Sequence, residues 1–548
     1  MDRSRLKYWP SSHRISAREV VSAQAVGISA ACLALFAGLE LRWAIAIAAA
    51  VAVILLLHIG GRSITTWIRT AVRYMRRCQT SSGTIVSFQT PSEQSIGLRV
   101  DGSTLVSVVE IMAPHDYLTR IGRTSFDASH TLPTAELADC LHQHDISLTG
   151  IDIVSHGFRV ASGTPATEVY DRLIGPLPAT ATRIVWLALR FDRIEGSDAV
   201  DRRGGGGGDG AARSISVATS RVVRVLEAAG ARARILTAPE ISSSIAQVSR
   251  GVEVADVAET WRSTPLPGVS NLGYGIEPKA ITKGSLAQVW AAATLGTSVT
   301  VRLRPRPETG LTAVSATCRF TTRHLPKAAP VAGLVSMRGR QRDALLTNVP
   351  TALTSLDAIS PTRTMDAADL TALELPLAGC GQLLGSDDRG QGVAALVAGT
   401  GVNTVFVAGE LYLAQQLIFR AVATGTRVLI HTDRPETWTP LIDSMGVPDR
   451  LRVSGHGQGP EGTFNAVVFD GVRALPPRAG VTAVYVYGDP AQWPEIEPDL
   501  TIVQPNALGD RIVVATEKTS VELTLVTIAA ETSFIGRPRA GAEFPMSP

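Results

Sequence analysis

From Val20 to Leu39 the chain reads VVSAQAVGISAACLALFAGL, twenty residues without a charge, and from Trp43 to about Gly60 it reads WAIAIAAAVAVILLLHIG, with Glu40, Leu41 and Arg42 between. Nothing else in the sequence limits the fold as strongly. Twenty helical residues at about 1.5 Å per residue cover about 30 Å, the thickness of bilayer hydrocarbon. The expectation is a membrane protein with two N-terminal transmembrane α-helices, a hairpin over residues 20–60 carrying a cytoplasmic α/β portion. Arg3, Arg5, Lys7, Arg14 and Arg18 precede the pair, Arg62, Arg69, Arg73, Arg76 and Arg77 follow it, and the turn holds Arg42 beside Glu40. By the positive-inside rule both termini and the soluble portion then face the cytoplasm of a multi-pass inner (plasma) membrane protein. The competing reading, a buried hairpin of a soluble protein, does not account for the flanking basic residues. Residues 1–19 form a basic N-terminus. Residues 61–80, containing ITTWIRTAVRYMRR with no acidic side chain, are expected to continue the second span as a basic juxtamembrane helix resting on membrane lipids.

The remaining chain is rich enough in apolar residues to fold. Over 548 residues it is 45% apolar and 18% charged, which excludes general disorder, and its net charge of +3 provides no field that would attract nucleic acid. The five cysteines contain no CxxC pair, which argues against a disulfide framework or a cysteine zinc site. Residues 81–330 alternate short strands (TIVSFQ, SIGLRVDG, TLVSVVEI, RIVWLALRF) with helical stretches at Leu132–His144, Pro165–Leu173 and Ala211–Ala229, so a mixed α/β domain is expected. The stretch LPKAAPVAGL marks a boundary near residue 330. Residues 331–548 repeat strand and helix through NTVFVAG, ELYLAQQLIFRAVATG, TRVLIHT, ETWTPLIDSMG, FNAVVFDG and TAVYVYGD. They predict a mostly parallel, degenerate Rossmann-like extension without a nucleotide motif.

Each motif that suggests chemistry lacks its working parts. The run Gly204–Gly208 before a helix has no GK[ST] ending, and Asp209 would repel a phosphate, so a mobile surface loop is expected. A literal GxGxxG at Gly457, Gly459 and Gly462 is interrupted by Pro460 and precedes a strand instead of a helix. His142 and His144, two apart on an expected helix end, would point to different faces and hold no metal together. His156-Gly157 has no nucleophile motif beside it and reads as a turn. Asp387 and Asp388 read as solvated. The residues point to no catalytic, cofactor-binding or metal site, and to no enzyme.

The order SIGLRVDGSTLVSVVEI, ISLTGIDIVSHGFR, WLALRFDRIEGSDAVDRRGGGGG and ARARILTAPEI resembles the EccE family, a core membrane component of the actinobacterial type VII (ESX) secretion system. The positions carrying the resemblance are Arg190, Asp192, Ala199, Val200, Arg203, Gly204 and Gly205, then Leu236, Thr237 and Trp261. The region beyond 330 is similar to the extension of the family's longer members. The resemblance implies a structural inner-membrane subunit that scaffolds a secretion complex with EccB, EccD and the ATPase EccC, with no cofactor of its own. Against it stands a membrane-tethered glycosyltransferase-like or nucleotide-binding protein, suggested by the doubly wound C-terminal pattern alone, and a membrane sensor, for which no output motif is present.

Overall fold

The computed structural model describes residues 17–536 except 60–61, 77–82, 91–92, 113–117, 123–125, 128–129, 162, 205–206, 307, 353–360, 400, 456–460, 474–477, 479 and 506–508. Most of the basic N-terminus, Gly205, Gly457 and Gly459 lie outside them.

The expected transmembrane pair is corrected first. The two apolar stretches do form helices, Ala17–Phe36 and Leu41–Leu56. They pack along each other so closely that a Cβ on Gly27 would lie 2.9 Å from the Ala48 carbonyl oxygen. Among the described residues, however, no helix is long and apolar enough to cross a membrane. The second helix has 16 residues, about 24 Å at 1.5 Å each. It stops because Leu57 turns into extended backbone. The first includes Arg18 and Glu19 in its opening turn, which shortens its apolar run. Nor does the second helix continue into the basic one. Residues 58–59 and 62–63 pair as short strands, and the helix Ile64–Met75 starts afresh with the Ser63 hydroxyl accepting from the Thr66 amide at 3.3 Å.

Two large sheets make up the remainder. In the first, the antiparallel path runs Thr264–Leu266, Val269–Ile276, Leu311–Thr322, Gly296–Arg306, Gly150–Phe158, Thr182–Asp192, Thr104–Ile111, Ser95–Asp101 and Thr84–Gln89. Its central strands are covered on both faces, which explains their unbroken apolar runs. Along Thr182–Asp192, Val185, Leu187, Leu189 and Phe191 face the helix Gly207–Ala228, while Trp186 and Ala188 face the helix Ala238–Ser249.

The second sheet has a parallel core in the order Leu451–Val453, Val428–Thr432, Ala466–Asp470, Thr482–Tyr487, Thr404–Ala408 and Leu500–Val503, then antiparallel strands Arg511–Ala515, Ser520–Leu525, Gln382–Ser386 and Gly392–Ala395. Numbered along the chain, the parallel strands lie 3-2-4-5-1-6, which departs from the 3-2-1-4-5-6 of a dinucleotide fold. The sheets exchange strands. Thr119–Ile121 pairs with Gly392–Ala395 in the second, and Arg363–Met365 pairs with Leu311–Thr322 in the first.

Each sheet buries an ion pair. Asp152 and Arg302 face each other on neighbouring strands at 2.5 and 2.8 Å. In the second, Arg420 on the helix Leu411–Ala423 grips Glu531 at 2.7 and 2.8 Å and donates to the Leu383 carbonyl at 2.8 Å, pinning the helix Ala529–Ile535. Removing one partner strands a desolvated charge. Arg420→Met is therefore expected to lose about 3–5 kcal/mol in urea unfolding, with most of it regained in Arg420→Met/Glu531→Leu. A loss below about 1 kcal/mol for the single change would show that the pair does not hold this helix.

Candidate functional site

The family-motif residues form three groups in the fold. Arg190 and Asp192 close the central strand Thr182–Asp192. Arg190 is 1% exposed opposite Gly150, where a Cβ would lie 2.6 Å from its guanidinium, so the glycine makes room for the arginine. Asp192 accepts from the Ile194 amide at 2.8 Å, the Glu195 amide at 3.2 Å and the Ser103 hydroxyl at 2.6 Å. Burial raises its carboxyl pKa, and these donors outweigh it, holding the group below the ordinary carboxylate range.

The second group gathers on the helix Ser197–Gly204. Ala199 and Val200 are buried against the core, and the Arg203 guanidinium makes a two-pronged pair with Asp145 at 2.6 and 2.9 Å. That pair pulls the Asp145 carboxyl down to about 2. The described glycines of the expected loop stand at the joint of two helices, with Gly207 at φ +84, and Gly205 and Gly206 lie outside the described residues. Gly204 ends one helix, and Gly207–Ala228 is the next. Gly210, just past the run, sits where a Cβ would meet the Val200 carbonyl oxygen at 2.5 Å, and a Cβ on Gly204 would lie 3.3 Å from Gly210, so these two glycines allow the helices to approach closely. Leu236 and Thr237 adjoin this sheet. Leu236 bonds through its backbone to Val108 and Gly97, and Glu240 accepts from the Thr237 amide and hydroxyl, both at 2.8 Å, to start the helix Ala238–Ser249.

Trp261 lies apart from these groups and performs a different task. Its ring stands 6.0 Å from Trp67 and 5.3 Å, edge-on, from Tyr74, both on the helix Ile64–Met75. Behind it, Gly339 adopts φ +71 and a Cβ there would strike the indole at 2.5 Å. Arg73 of the same helix reaches Asp343 at 3.0 Å. The basic helix is thus clamped to the first sheet's edge by aromatic contacts and an ion pair. Sequence reasoning singled out Trp261 but missed Trp67, Tyr74, Gly339 and Asp145, none of which is marked by local spacing.

The histidines are also placed differently from expectation. The helix near them ends at Asp139, His142 belongs to a two-residue strand, and His144 takes φ +56 in the turn that follows. His156 lies inside the strand Gly150–Phe158, not in a turn. Its Nδ1 is 2.8 Å from the Ser298 hydroxyl, which in turn accepts from Arg319 at 2.8 Å. Burial first, and the facing Arg319 charge second, push its pKa down to about 3, so the imidazole is neutral. At the carboxyl ends of the parallel strands, where α/β folds usually bind ligands, Asp470 is fully buried beneath donors from Thr432, Arg434 and Trp438. Among the described residues no cluster of three or more His, Cys, Asp or Glu could hold a metal.

The family described as "Putative type VII ESX secretion system translocon, EccE" matches residues 179–276, a window containing every motif position from Arg190 to Trp261. Over this window the chain is similar to EccE. It is 27% identical over 364 residues to the ESX-2 secretion system protein EccE2 of Mycobacterium tuberculosis (strain CDC 1551 / Oshkosh), covering 64% of each chain. It is 26% identical over 430 residues to EccE1 of the ESX-1 system of Mycolicibacterium smegmatis (strain ATCC 700084 / mc(2)155), covering 77% of this chain and 84% of that one. It is 31% identical over 281 residues to EccE5 of the ESX-5 system of Mycobacterium tuberculosis (strain ATCC 25618 / H37Rv), covering 47% and 65%.

Two outcomes test this geometry. Trp261→Ala is expected to speed hydrogen exchange in residues 64–75 by an amount equivalent to about 1–3 kcal/mol while leaving the strand Thr182–Asp192 unchanged. Because His156 has a lower pKa folded than its unfolded value of about 6.5, the unfolded chain binds the extra proton between about pH 6.5 and 3, and stability falls as pH drops through that window. Across it, His156→Gln is expected to flatten the measured stability slope, whose single-site limit is about 1.4 kcal/mol per pH unit.

Proposed function

We propose that this protein is a structural subunit of a type VII (ESX) secretion complex at the inner membrane, acting through surfaces that bear on EccB, EccC and EccD and not through a reaction of its own. The observation that carries this reading is the coincidence of the family-matched window with side chains committed to holding the chain together: Arg203 on Asp145, Asp192 on its turn, Thr237 at a helix start and Trp261 on the basic helix. Groups engaged in this way are suited to rigidity. A scaffold needs rigidity because each flexible surface pays an ordering cost on binding.

The division of labour we infer is by segment, across sheets that exchange strands. Residues 81–330 carry the family motif, residues 331–548 form an extension that enlarges the contact surface, and Ile64–Met75 connects the N-terminal helix pair to the first sheet. The direct test is mild detergent treatment of the native membrane fraction from a strain carrying the tagged full chain, followed by native electrophoresis and mass spectrometry. Co-migration with EccB, EccC and EccD in one large assembly is the expected result. Recovery as a lone chain, while the other three remain assembled, would refute the scaffold reading.

A further inference from the structure

A cleft runs along the seam between the two sheets, on the amino-end side of the parallel strands. One part encloses about 320 Å³ and is lined by Arg250, Arg319, Arg427, Arg450 and His156, with no acidic side chain among its walls. It shares Phe158, Gln247 and Gly425 with a neighbouring hollow of about 400 Å³, whose wall includes Ile184, Leu396 and Val397 together with Arg183 and with Glu110, which is paired to Arg234. Among the described residues, none of those four arginines has a carboxylate within ion-pair distance.

Arg319 is the telling member. It is 1% exposed on the strand Leu311–Thr322, and its donors reach only neutral acceptors: the Val248 carbonyl at 3.1 Å, the Ser298 hydroxyl at 2.8 Å and, more distantly, the neutral His156 Nδ1 at 3.5 Å. Its Nε has no hydrogen-bond partner. A guanidinium stripped of water without a counter-charge is costly, and the neutral His156 beside it contributes no negative charge. Arg250 adds a second anomaly. It caps the helix Ala238–Ser249 in the left-handed region at φ +56, a backbone state that a non-glycine residue adopts at some cost. Three more exposed or half-exposed arginines thus border a cavity wall that already holds a buried, uncompensated one.

We propose that this cleft is a binding site for a phosphorylated small molecule, with its phosphate groups against Arg319, Arg250, Arg427 and Arg450 and its less polar body in the adjoining hollow. A doubly or multiply charged oxyanion matches the forked donors of arginine and supplies the counter-charge that the walls lack. The combined space is of the size that small-molecule sites use. Its position explains why no sequence motif marks it. The arginines come from the end of one helix, one strand of the first sheet and the approaches to two strands of the second, and they meet only when the sheets dock. The site does not depend on the secretion reading.

Isothermal titration of the full chain with inorganic pyrophosphate at low salt tests it. Saturable binding is expected, weakened about tenfold or more in Arg427→Gln/Arg450→Gln, whose side chains border solvent, and unchanged in Arg511→Gln, which lies in an exposed pair with Glu522 on the second sheet. Retained thermal unfolding in both variants keeps the comparison one of binding. Absence of saturable binding at millimolar pyrophosphate, equal binding by the double variant, or an equal loss in Arg511→Gln would each overturn the proposal.

Discussion

The structure depends on the seam where the backbone of one sheet bonds to the other. Ala161 donates to Ala423 at 2.8 Å, Cys380 to Thr180 at 2.8 Å, and Gly381 to Ala181 at 3.1 Å. Gly379 and Gly381 are required there, since a Cβ on either would collide with backbone at 2.5 and 2.0 Å. The helix Pro165–Ile174 between these contacts packs on Leu411–Ala423 and sends the buried Tyr170 hydroxyl to accept from the Leu383 amide at 2.7 Å. With the exchanged strands, these bonds make each sheet part of the other's boundary. The arginine-lined cleft is a consequence of that docking.

The same seam shows why the family window is so heavily committed to structure. The strand Thr182–Asp192 starts at the seam and ends at Arg190 and Asp192, so two of the motif residues lie on the element that links the two halves, and the helix carrying Ala199, Val200 and Arg203 follows it directly. A change at Asp145 or Arg203 perturbs the helix pair packed on that strand, while a change at Trp261 loosens the basic helix alone. The aromatic packing at one edge shares no side chain with the ion pair at the other, so changes at the two are expected to add.

What the sequence made legible follows from where the determining physics is local. The Asp101-Gly102 turn is set by residues adjacent in the chain, and the hairpin stands with Gly102 at φ +61. The parallel strands were readable because burial on both faces writes continuous apolar runs. What the glycine pattern did not reveal is the close helix approach of Val200 and Gly210, a tertiary contact that leaves the same local pattern as a loop. The apolar N-terminal stretches showed helices but not their ends, which are set by Leu57 turning extended and by Ser63 starting a new cap. Partners such as Asp145 for Arg203, or Arg319 for the cleft, lie too far apart in sequence for spacing to reveal.

If the seam makes the two sheets one body, they must unfold together. Trp186, 1% exposed in the first sheet, and Trp438, fully buried against the second, each report on one half. The decisive measurement is equilibrium urea unfolding of the full chain followed by fluorescence in two variants that each retain one of these tryptophans, the others replaced by phenylalanine. Coincident transitions with one midpoint are the result expected of a single interlocked body. Two separated transitions would contradict it and would show that each sheet stands without the other.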